Sequence, residues 1–214
     1  MSGYDRKKYI WKLIYAFILG YDIEFGHTEA ISLINENKFS EKTTGYIAIG
    51  IFLNERTDFS LFYNCIETIK RDLVSGNEVY EALAISTLGN VSSRQLAKET
   101  APALVHKALS QDRMITTQVR KKACACLLSF MKKDESIYDY QAWMDGFSYL
   151  LTSNNLGLLL STTTLMLGTI KLKGAQGFDQ FIGPLINILK KMHDHAQEYF
   201  YYMTPCPWLQ IKIF

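Results

Sequence analysis

A chain of 214 residues, 48% of them hydrophobic, can bury a substantial core, which excludes intrinsic disorder as its organising principle. Its 23 basic and 21 acidic side chains leave a formal charge of +2, so there is no global field to recruit a nucleic acid, and electrostatic recognition has to be local. With only four prolines and thirteen glycines the chain suits helices better than a many-turned sheet protein, and no apolar run reaches the roughly 18 residues of a membrane span.

In chain order, the first helix is set by Ile10, Leu13, Ile14, Phe17 and Ile18 at helical spacing, opposite Arg6, Lys8 and Lys12, and closes at Gly20. Further helices are expected over 27–35, 41–53, 59–74, 78–91, 101–109 and 115–131, then 141–151, 156–172 and 178–192, with no convincing strand. Ser40, Ser75 and Asn77 can cap helix starts, and Gly76 and Gly174 allow the chain to turn. The loops are short, so neighbouring helices should pack antiparallel.

A stack of helical hairpins should repeat. The triad Tyr46, Ile49 and Phe52 can be laid over Ile85, Leu88 and Val91, over Ala125, Leu128 and Met131, and over Thr164, Leu167 and Ile170, in steps of 39, 40 and 39. The opening helix joins through Ile10, Leu13 and Ala16, a step of 36. Small residues recur just before the first triad position, at Gly45, Ala84, Cys124 and Thr163, where helices would approach closely. A period near 40 is that of HEAT or armadillo units. The expected fold class is therefore all-α, a right-handed α-α superhelix forming one solenoid over residues 1–214, a fragment of a longer one because neither end supplies a cap.

The strings Gly3-Tyr4-Asp5-Arg6-Lys7-Lys8-Tyr9-Ile10-Trp11-Lys12-Leu13, Leu19-Gly20-Tyr21-Asp22-Ile23-Glu24-Phe25-Gly26-His27 and Tyr201-Tyr202-Met203-Thr204-Pro205-Cys206-Pro207-Trp208 are more specific than the period. Together with Glu41-Lys42 before Gly45-Tyr46, and with Ile69 to Leu73, they resemble, in order, the trunk of the alpha-type adaptins, large subunits of the plasma-membrane clathrin adaptor. The Leu19 to Gly26 landmarks are shared by other adaptor large subunits. The alpha subtype rests on Lys7 to Tyr9 and Tyr201 to Trp208, and the gamma type of internal membranes is the alternative. Trp11 departs from the pattern, being bulkier than the small residue expected there.

The resemblance implies a scaffold at the cytoplasmic face of the plasma membrane, in clathrin-coated pits, that holds the small sigma, medium mu and beta subunits and works with clathrin through the whole complex. Residues 5–12 carry four cations against one carboxylate, and Lys8 and Lys12 share a helix face, so both ammonium groups can converge on one polyanion. Free amides and the positive helix end should lie nearby. Without the family this would read as an ordinary solvated helix face. The resemblance implies phosphatidylinositol bisphosphate binding by Tyr4, Lys8, Tyr9 and Lys12, with Lys7 at the margin, and weak binding where the family's upstream basic residues are missing.

No enzyme or cofactor is expected. Cys124 and Cys126, at i and i+2, point about 200° apart and cannot chelate together. His193 and His195 share that geometry, His27 belongs to the Phe25 landmark, and His106 has no adjacent nucleophile. The loop Gly174 to Gly177 lacks the lysine and hydroxyl of a phosphate-binding loop. Cys65, Cys124, Cys126 and Cys206 read as buried thiols of a reducing compartment. Two other readings are a transport or regulatory HEAT scaffold that binds protein segments in its concave groove, and an enzyme whose site straddles missing parts, for which the sequence supplies nothing.

Overall fold

The computed structural model describes residues 2–52, 59–91, 93–195 and 200–214, with the side chains of 59–62 and 193–195 excepted. Among these residues the chain forms eleven α-helices. They are α1 (Gly3–Ile18), α2 (His27–Ile34), α3 (Phe39–Phe52), α4 (Phe59–Leu73), α5 (Glu78–Val91), α6 (Arg94–Leu109), α7 (Thr117–Lys133), α8 (Tyr140–Leu150), α9 (Leu156–Lys173), α10 (Ile182–His195) and α11 (Pro207–Ile213). None of the described helices is long and apolar enough to cross a membrane.

The contacts divide the chain into two compact units, residues 1–93 and 94–214. In the first, α1, α3 and α5 form one layer and α2 and α4 the other, with the hairpins α2–α3 and α4–α5 closing between layers. In the second, α7, α9 and α11 form one layer, α6 and α8 the other, and the hairpins are α6–α7 and α8–α9. The helices α1 to α9 thus each pack on a sequence neighbour and on a helix of an adjoining hairpin, which is the all-α solenoid arrangement.

Burial sharpens the repeat. Gly45, Tyr46, Ala48 and Ile49 are buried in α3, as are Ala84, Ile85, Thr87 and Leu88 in α5. Ala123, Cys124, Cys126 and Leu127 follow in α7, and Thr162, Thr163, Leu165 and Met166 in α9. From 45 through 84 and 123 to 162 every step is 39. Ile10 and Leu13 fall in the same register, matching Ile49 and Phe52. The sequence alignment therefore slipped by one residue at α7 and by three at α1. Ala125 is exposed, and Leu128, Thr164, Leu167 and Ile170 are only half-buried, because apolar residues flank the true interior on both sides and mask its phase.

One position in this register is polar and buried three times, at Lys42, Glu81 and Arg120. Each side chain reaches back to the loop before its own helix. Lys42 Nζ donates to the Ile34 carbonyl at 2.5 Å and pairs with Asp72 at 2.6 Å. The Gly76 amide donates to Glu81 Oε1 at 3.1 Å. Arg120 donates to the carbonyls of Ser110 (2.6 Å), Ala108 (3.5 Å) and Asp112. A buried charge is tolerated where such partners replace its water, and here the replacement ties down each interhelical turn.

Helix ends follow ordinary capping chemistry. Asn77 Oδ1 accepts from the Val79 and Tyr80 amides, and Thr116, Asp139 and Asn155 cap α7, α8 and α9. Gly76 and Gly174 take positive φ of 72° and 91°, as their turns require. Ser40 is no cap, because α3 already begins at Phe39. The sixth helix starts at Arg94, seven residues before the expected Ala101, and runs through Pro102. Burial of Leu96, Ala97 and Thr100 outweighs the one backbone bond that Pro102 cannot make. A short antiparallel pair, β1 (Phe200–Tyr201) with β2 (Thr204–Pro205), corrects the expectation that strands are missing. Its turn places Tyr202 and Met203 at positive φ, a geometry no alternating pattern announces.

Candidate functional site

The first helix seats itself through Ile10, Leu13 and Ile14, all buried. At about 100° per residue, Tyr4, Lys8 and Lys12 then fall away from that seat, together with Trp11 and Tyr15, while Lys7 lies at its margin. Tyr4 is 64% exposed and Lys8 and Lys12 are exposed, so the i, i+4, i+8 row of Tyr4, Lys8 and Lys12 lies open to solvent. Neither lysine makes an ion pair among the described residues. Lys7 is half-buried: its ammonium lies 5.9 Å from the Tyr4 ring centre and donates to Ser40 Oγ at 3.5 Å. Tyr9 is also half-buried and is turned about 140° from Tyr4, so the structure does not bring it onto the row.

Arg6 points away and is bound to Glu36 Oε1 at 3.1 Å. The end of the helix differs from expectation. Ser2 Oγ accepts from the Asp5 amide at 3.2 Å and donates to Asp5 Oδ2 at 2.7 Å, a reciprocal cap that places a carboxylate in the first turn. The Glu41 carboxylate packs against Gly3, where an added Cβ would stand 2.6 Å from Oε2. The positive helix end is therefore already matched by two carboxylates, and attraction for an outside anion comes from Lys8 and Lys12 instead.

Sequence reasoning missed two parts of this surface. Ser40 is 33 residues from Lys7 and no local signal joins them. Trp11 (45% exposed) and Tyr15 (63%) stand beside the lysines, and their i, i+4 spacing was legible. Exposed aromatics next to lysines suit a lipid headgroup layer, where an amphipathic ring can sit.

The other singled-out groups fall elsewhere. His27 opens α2 and meets the Phe52 ring edge-on at 6.3 Å. His106 is exposed on α6. The side chains of His193 and His195 lie outside the described residues. Cys65, Cys124, Cys126 and Cys206 are buried free thiols. Burial pushes the first three up to about 12, so they are held as inert neutral thiols.

Comparison with known proteins bears on the whole length. The AP-2 complex subunits alpha-1 and alpha-2 of Arabidopsis thaliana are each 36% identical over 215 residues, covering 99% of this chain and 21% of theirs. The AP-2 complex subunit alpha of Schizosaccharomyces pombe is 35% identical over 216 residues, covering all of this chain and 24% of its own. The AP-4 complex subunit epsilon of Arabidopsis thaliana is 29% identical over 209 residues, covering 97% of this chain and 21% of its own. The chain thus spans about a fifth of the length of these relatives. A homology model of the full-length AP-3 complex in an intermediate open conformation shares the fold, with a TM-score of 0.67 at 20% identity over 98% of this chain and 33% of that one. The Adaptin N terminal region family matches residues 2–214, so the two-layered helical repeats described above belong to a member of the adaptin N-terminal family.

Proposed function

We propose that the chain is a stretch of the trunk of an alpha-type adaptor large subunit, a non-enzymatic scaffold of the endocytic clathrin adaptor. In this reading the two units are consecutive parts of one solenoid. They hold the sigma subunit, with the mu and beta subunits and clathrin engaged through the complete assembly. The alpha subtype is supported by 32–36% identity to AP-2 alpha subunits from a plant, an amoeba and a yeast, against 29% to an AP-4 epsilon subunit. A gamma-like or epsilon-like large subunit is the alternative.

The observation that carries the membrane role is the exposed row Tyr4, Lys8 and Lys12. We assign phosphatidylinositol bisphosphate to this row, with Lys7 adding charge from the side and Tyr9 at the edge, on the cytoplasmic face of the plasma membrane. A basic side chain near an anionic surface contributes about 1 kcal/mol, so three lysines give about a hundredfold in partitioning, enough to orient a complex but weak alone. Flotation with liposomes containing the bisphosphate tests it: Lys8→Glu with Lys12→Glu should release the chain while leaving its helical signal intact. Retention of the doubly reversed variant would exclude this surface. Co-expression of the full-length parent with sigma subunits of different adaptors tests the subtype, which is wrong if the plasma-membrane sigma fails to co-purify.

A further inference from the structure

The second unit is basic where the first is acidic. Residues 94–214 carry 14 basic and 9 acidic side chains, a net +5, whereas 1–93 carry 9 and 12, a net −3. Much of the excess gathers at one edge of the unit. The start of α6 meets the end of α7, because Arg94 Nε and Lys98 Nζ both reach Asp134 Oδ2 at 3.2 Å. The end of α9 meets the same turn through Lys173, whose Nζ lies 2.8 Å from Glu135 Oε2. Lys132 and Lys133, both exposed, are the last residues of α7.

We propose that this edge, built from Arg94, Lys98, Lys132, Lys133 and Lys173, is a docking surface for an extended acidic segment of a protein partner. The Asp134 carboxylate is 1% exposed, is held well below the usual carboxylate range by the Ser136 hydroxyl and amide and by the two cations, and serves as a fixed anchor. It orients Arg94 and Lys98 without neutralising both. The Arg94 side chain stays 72% exposed and that of Lys98 49%, so the guanidinium keeps N–H groups for a second carboxylate. Three neighbouring helix ends, each roughly 8–10 Å apart, span about 20 Å, the length of about six residues of extended chain.

A peptide fits this edge better than a bilayer does. Among the described residues the turns that bear the cations offer a headgroup layer one exposed aromatic, Tyr140 at the end of the turn after α7, whereas α1 offers Tyr4, Trp11 and Tyr15 beside its lysines. Glu135, 56% exposed, interrupts the positive field, which a flat anionic surface could not avoid and a segment of spaced carboxylates can straddle.

The surface is independent of the lipid row on α1, and one titration separates the two. A fluorescein-labelled octapeptide alternating Asp or Glu with Ser is titrated with the full chain, in parallel with vesicles of anionic lipid. Wild type should bind the peptide, more weakly as salt is raised. Arg94→Glu with Lys98→Glu, and separately Lys132→Glu with Lys133→Glu, should each weaken it by about tenfold or more. Lys8→Glu with Lys12→Glu should leave it unchanged. Arg94→Gln with Lys98→Gln serves where charge reversal disturbs folding, and should weaken binding in the same sense. No peptide binding by wild type, loss of peptide binding only on changing Lys8 and Lys12, or vesicle capture that depends on Arg94 and Lys98 would overturn the proposal.

Discussion

The two units meet the same packing problem with different chemistry at one repeat position. In the first, Lys42 is enclosed by a carboxylate and two rings: Asp72 at 2.6 Å, Tyr80 at 4.5 Å and Tyr46 at 5.7 Å, with the Tyr46 hydroxyl also donating to Asp72 at 2.6 Å. In the second, Arg120 relies on backbone carbonyls and the Tyr149 ring, 5.4 Å away, and pairs with no carboxylate among the described residues. Both devices pin the turn before the helix. The first depends on the ionisation of a distant helix, whereas the second depends on the shape of its own loop.

The largest test of that contrast is Asp72→Ala. It leaves Lys42 buried against a carbonyl and two rings with its counter-charge gone, and should cost about 3–5 kcal/mol in chemical denaturation. A loss under 1 kcal/mol would mean that the Tyr46, Lys42 and Asp72 group contributes little. Arg120→Met, next in size, strips donors from the turn 108–112 and should cost about 2–3 kcal/mol, with faster amide exchange confined to that loop. Global rather than local exchange would show that Arg120 acts on the core instead.

Close approach differs between the units in the same sense. A Cβ at Gly45 would stand 2.7 Å from the Ile34 amide nitrogen and 2.9 Å from the Ala30 carbonyl, so Gly45→Ala must move the α2 backbone and should cost about 2–3 kcal/mol. At Gly168 the clash is with the end of the Leu128 side chain, which can rotate, so Gly168→Ala should cost about 1 kcal/mol. Equal melting shifts for the two would remove the distinction.

The last contrast is a pH slope. Thiols raised by burial to about 12 stay neutral in the fold while the unfolded chain ionises near 8.5, so their contribution is complete below about 8.5 and is lost as pH climbs toward 12. Each should remove about 1.4 kcal/mol per pH unit in that window. Cys65→Ala relieves one thiol in the first unit, and Cys124→Ala with Cys126→Ala relieves two in the second. A denaturation series from pH 7.5 to 10.5 should show the second variant flattening the slope about twice as much.

Some of this was legible and some was not, for physical reasons. Ile10, Leu13 and Ile14 announced α1 because a stripe with a polar opposite face has only one helical phase. The helices α7 and α9 hid their phase, since Leu128 and Leu167 are apolar without being interior. The small residues Cys124 and Thr163 carry the same one-residue slip as the triads, since the true counterparts of Gly45 and Ala84 are Ala123 and Thr162. Tyr4, Lys8 and Lys12 could be placed on one row from spacing, whereas the half-burial of Tyr9 and the contact of Lys7 with Ser40 required the neighbouring helix.

By itself the amino-acid sequence determined ten of the eleven described helices, a period near 39 and the cationic row of α1, because all three are encoded in local spacing. Only the tertiary structure decided that Lys42, Glu81 and Arg120 are buried latches, that α1 begins on matched carboxylates, and that Arg94, Lys98 and Lys173 gather at one edge. Apart from the Ser2–Asp5 cap, which is local, those outcomes join residues that are 30 to 79 positions apart or settle which polar side chains lose their water, and local spacing carries no record of either.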